Sequence, residues 1–147
     1  MLSRETAQAL KEAGLIWRPD EGDLFIIPDR DLDDHIFILS RMSTTVRILS
    51  GSPAITFQGS YEWALDYIFM REVIWLPSEE QLRAVLEERL QGEEPGAQPA
   101  LRLTSTPGGY VCEVLYEGKY RTYEAREVSE VYAAALLDLL QEAAGAS

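Results

Sequence analysis

Apolar residues recur along the chain with two different periods, and each change of period marks an element. Ala7, Leu10 and Ala13 lie at helical spacing behind Ser3, whose hydroxyl suits the cap of a first helix, and Gly14 supplies the left-handed stop. Pro19 and Gly22 then break the chain. Four short β-branched or aromatic runs follow: LFII (24–27), IFIL (36–39), TVRIL (45–49) and AITF (54–57). Asp, Gly, Ser and Pro separate them, a spacing that predicts an antiparallel meander. At Ser60 the pattern turns helical again, and the second predicted helix ends near Met70. VIWL (73–76) reads as a short extended piece. Pro77 leads into a third helix whose Ser78 and Gln81 have capping-box spacing and whose Leu82, Val85, Leu86 and Leu90 run to Gly92.

The stretch GEEPGAQPA (92–100) combines Gly, Pro and charge without a periodic apolar residue, the pattern of a linker. Beyond it, LRLTS (101–105), YVCEVLY (110–116) and KYRTYEA (119–125) alternate as three strands, the last two joined by the two-residue turn Glu117-Gly118. In that register Tyr110, Cys112 and Val114 share a face with Arg121, Tyr123 and Ala125. A final helix from about Val128 to Glu142 turns Val131, Tyr132, Ala135, Leu136 and Leu139 toward them. The expected class is α+β, with antiparallel sheets covered by helices in two small units. The first is 1–92, in the order α-ββββ-α-α; 93–100 is the linker; the second is 101–147, in the order βββ-α.

The densest aromatic stretch is YEWALDYIFMREVIW, residues 61–75. On a helix Tyr61, Ala64, Leu65, Ile68 and Phe69 form one arc, and Trp63, Tyr67 and Met70 form a second on the far side. The first arc is core. The second has to pack on another element, such as the third helix or Trp75, or face a partner. Trp63, Tyr67, Met70 and Trp75 are therefore the candidate partner-binding residues, since aromatic side chains and Met are enriched at protein interfaces.

Charge narrows the classes. With 25 acidic residues against 13 basic ones the chain carries −12, which opposes binding to phosphate backbones. Nucleic acid is not an expected partner. The acidity motivates one alternative, a nucleic-acid mimic whose carboxylates imitate phosphates. The lone Cys112 forbids an internal disulfide and suits a reducing cytoplasm. The N-terminal residues lack a basic segment followed by an apolar run, so no signal peptide is expected, and no apolar run is long enough for a membrane span.

Reactive constellations are sparse. Asp29, Asp31 and Asp33 have the alternate spacing of the first half of a calcium loop, and His35, the only histidine, stands beside them. The glycine and the closing glutamate of such a loop are absent, as Asp34 and Ser40 occupy their positions. These four residues form the candidate metal or small-ligand site, an alternative to a solvated acidic turn. A Cys/His pair would need Cys112 and His35 from different units, and no phosphate-binding or nucleophile-elbow motif occurs. No cofactor and no catalytic residue is expected.

ALKEAGLIWRP, TFQGSYEWALDYI, VIWLPSEEQLRAVL and YRTYEA…VYAAALLDLL together resemble a group of uncharacterised short proteins from Gram-positive bacteria and their phages, some labelled "pilus assembly protein". The resemblance spans almost the whole chain and rests on Gly14-Leu15, Trp63-Ala64-Leu65 and Trp75-Leu76-Pro77, which are structural positions. The final segment also resembles the second half of a double-stranded RNA-binding domain, although its helix begins AREVSEV, with Glu127 and Glu130 where that family carries basic residues. The expected role is a non-enzymatic, cytoplasmic accessory or adaptor protein acting through a protein partner or self-association.

Overall fold

The computed structural model describes residues 1–28, 35–40, 44–57, 67–92 and 99–145. The chain falls into two compact units, one made of Met1–Leu15 with Pro77–Ser147 and the other of Ile16–Leu76. The division therefore lies elsewhere than at the expected linker 93–100. The helix before that linker and the helix at the C-terminus pack on each other, so the 92–100 stretch joins parts of one body.

The first unit begins with α1, Arg4–Glu12, where the Ser3 hydroxyl accepts from the Thr6 N–H at 3.2 Å. Gly14 closes it in the left-handed region, and the Leu15 N–H returns to the Leu10 carbonyl. Helix α2, Glu79–Arg89, starts with the expected reciprocal box: the Gln81 N–H donates to Ser78 and the Ser78 N–H to Gln81. Strands β7 (Leu101–Thr106), β8 (Gly109–Tyr116) and β9 (Lys119–Ala125) form an antiparallel sheet in that order. Their register pairs Tyr110 with Ala125, Cys112 with Tyr123 and Val114 with Arg121, as the alternation predicts. Glu117 and Gly118 both have positive φ and make the tight turn. Helix α3, Val128–Gly145, closes the unit.

Helix α3 explains why the unit holds together. Val131, Tyr132, Ala133, Ala135, Leu136, Leu139 and Leu140 are all buried, which is more than one helical stripe. The sheet covers one side through β8 and β9, and α1 and α2 cover others. Glu130 fastens α1 in place, accepting from the Ser3 N–H and the Thr6 hydroxyl, both at 2.8 Å.

The second unit is built from two small sheets. In one, β1 (Leu24–Ile26) lies between β2 (Phe37–Ile38) and β6 (Ile74–Leu76), all antiparallel. In the other, β4 (Ser52–Phe57) lies between β3 (Thr44–Leu49) and β5 (Tyr67–Phe69). The four-stranded meander is thus corrected to two separate hairpin-based sheets. VIWL supplies the third strand of one and YIF the third strand of the other. Ser50 and Gly51, both at positive φ, make the β3–β4 turn and fix its register. Phe25, Ile27 and Leu39 from the first sheet's strands and their extensions meet Ile55, Ile68 and Val73 in a common core.

The predicted helix from Ser60 to Met70 is also corrected over its described part. Residues 67–69 pair with 54–56 as a strand, which sends Ile68 into the core beside Ile55. Met70 opens a single 3-10 turn, Met70–Glu72, where the Glu72 carboxylate accepts from the Phe69 N–H at 3.0 Å. A β-branched residue between two aromatics fits a half-buried strand, and the open edge of β4 provided the partner. Among the described residues no helix is long and apolar enough to cross a membrane.

Candidate functional site

Two of the expected partner residues, Tyr67 and Met70, are not on a common helix. Tyr67 sits in β5 and Met70 in the turn after it, so they share no helical face, and Trp63 lies outside the described residues. Met70 packs against the core cluster. Trp75 lies in β6 with its ring stacked on Trp17, centroids 6.4 Å apart and planes 11° from parallel. Trp17 touches Phe25 at 5.6 Å, and Phe25 touches Phe37 at 5.5 Å. These aromatics are cohesive packing of the sheet face.

Trp17 is held in turn by Asp23, a buried carboxylate that accepts from the indole N–H at 2.8 Å and from the Asp20 N–H at 2.9 Å. The Trp75 indole nitrogen is buried and has no hydrogen-bond partner among the described residues. Of the expected metal residues, Asp29, Asp31 and Asp33 fall outside the described residues. His35 is exposed, with its ring 6.3 Å from Phe37. Among the described residues no three His, Cys, Asp or Glu side chains are grouped to hold a metal ion.

In the first unit the polar groups of the sheet face form a clamp. Arg121 donates to both oxygens of Glu142, lies 3.6 Å from Asp138 and sits over the Tyr116 ring at 5.2 Å. The Glu142 hydrogen bond holds the guanidinium protonated, and the same bond keeps the Glu142 carboxyl below its ordinary range. Tyr123 donates to Asp138, and burial, followed by that bond, pushes its phenol up. Burial likewise pushes the Cys112 thiol up to about 11, with Glu113 adding to the effect. A thiol kept protonated is a poor nucleophile. An open groove of about 420 Å³ at the turn end of this sheet is lined by Thr106, Gly109, Tyr110, Glu124 and Arg126, whose two opposite charges give it no net sign.

Among the described residues the large apolar side chains left exposed are Met1 and Tyr120 in the first unit and Ile16, Ile36, Ile38, Val46 and Ile48 in the second. Val46 and Ile48 on β3 are 41% and 68% exposed, although the register puts Val46 opposite Ile55 and thus on the same face as the buried Ile55 and Ile68. Ile36 and Ile38, beside and within β2, are 48% and 59% exposed. Both β2 and β3 end their sheets. The charge pattern matches. Residues 35–61 contain no Asp or Glu and two Arg, so the rest of the chain carries all 25 acids against 11 bases. Sequence reasoning recognised these runs as strands and missed the acid-free interval, a signal that was legible in the order of the residues. No family model, no curated protein and no solved structure matches this chain.

Proposed function

We propose that this chain is a non-enzymatic accessory or adaptor protein that works by contact with another protein, and that the contact is made by the acid-free apolar edge of the second unit. The observation that carries the reading is the exposure of Val46 and Ile48 on the same face as the buried core residues Ile55 and Ile68. Covering a large aliphatic side chain contributes about 1.5–3 kcal/mol, so this edge has affinity to offer that the isolated chain leaves unused. The depletion of charge around it supports the reading further, because charged residues are scarce at interface centres. Trp75 stacks on Trp17 and Met70 packs against the core cluster, so neither is part of this edge.

The test is a photo-reactive amino acid placed at position 48 in the cells that express the chain. Adducts to one protein at Ile48, and none from the same probe at the exposed Arg83 of α2, support the reading. Equal yields at the two positions, or adducts at neither, remove it.

A further inference from the structure

We draw no further inference here: the strongest candidate, the outer edge of β3 with its exposed Val46 and Ile48, adds nothing to the contact already proposed, because nothing in the structure shows what covers it.

Discussion

The two units solve the same problem in opposite ways. In the first, a single helix of 18 residues is buried on several sides by a three-stranded sheet and two helices, and the sheet's polar residues are tied to it by ion pairs. In the second, the described strands, of two to six residues, pack around a cluster that includes Phe25, Ile27, Leu39, Ile55, Ile68 and Val73, and two edge strands keep isoleucines in solvent. Cover is most complete around the apolar helix α3. A helix satisfies its own backbone and needs only side-chain cover, whereas a sheet always leaves edges that need a partner. The contrast teaches that a buried apolar helix and a pair of small sheets leave different amounts of apolar surface in water.

The largest test removes closure from the first unit. Leu136, fully buried in α3, replaced by alanine should cost about 2–5 kcal/mol, read as a lower denaturant midpoint by far-ultraviolet circular dichroism. All three tryptophans, at 17, 63 and 75, belong to the second unit, so their emission reports that unit alone. If Leu136→Ala moves the emission midpoint by the same amount, the units unfold as one and the contrast loses its meaning.

Next in size is Asp23→Ala, which strips the acceptor from the Trp17 indole and from the Asp20 N–H. A loss of about 1–3 kcal/mol is expected, seen in tryptophan emission. An unchanged emission midpoint would mean the aromatic stack needs no polar anchor.

A smaller effect appears on raising the pH. The Cys112 thiol is pushed from its ordinary 9.0 to about 11 by burial, so the folded state prefers it protonated more than the unfolded state does. Its contribution is complete below pH 9 and is lost as pH rises toward 11. Between pH 9 and 10 the first unit should lose about 1 kcal/mol, and Cys112→Ala should flatten that slope. The reverse sign applies to Glu142, whose lowered carboxyl contributes stability above its unfolded range that fades as pH falls through the folded value. Glu142→Gln should remove that acid-side slope.

The smallest effect on stability is expected where the largest effect on contact lies. Ile48→Thr should shift the midpoint by less than about 0.5 kcal/mol, because the side chain is already in solvent. A drop of several times that size would show that Ile48 is part of the core, and would bring the second unit closer to the first in kind.

Local signals made much of the fold legible. Ser3 and Gly14 bound α1, Ser78 and Gln81 start α2, and Glu117-Gly118 sets the β8–β9 register, because caps and tight turns are decided by a few neighbouring residues. Tyr67–Phe69 misled because its spacing suits a helix face as well as a strand, and the choice fell to the edge of β4. The candidate surface was half legible. The acid-free interval 35–61 stands in the sequence, but whether Val46 or Ile55 would be covered does not, since both are apolar residues in similar runs.

The order of the residues by itself determined the class, most helix ends, the tight turn of the last sheet and the absence of acid around one apolar interval. Only the tertiary structure decided which strands share a sheet, which unit each helix joins and which isoleucines stay in water. Turns and caps are local energies of about one kcal/mol each, whereas strand partners and burial depend on groups distant in sequence. A chain with several interchangeable apolar runs leaves that selection to three-dimensional packing.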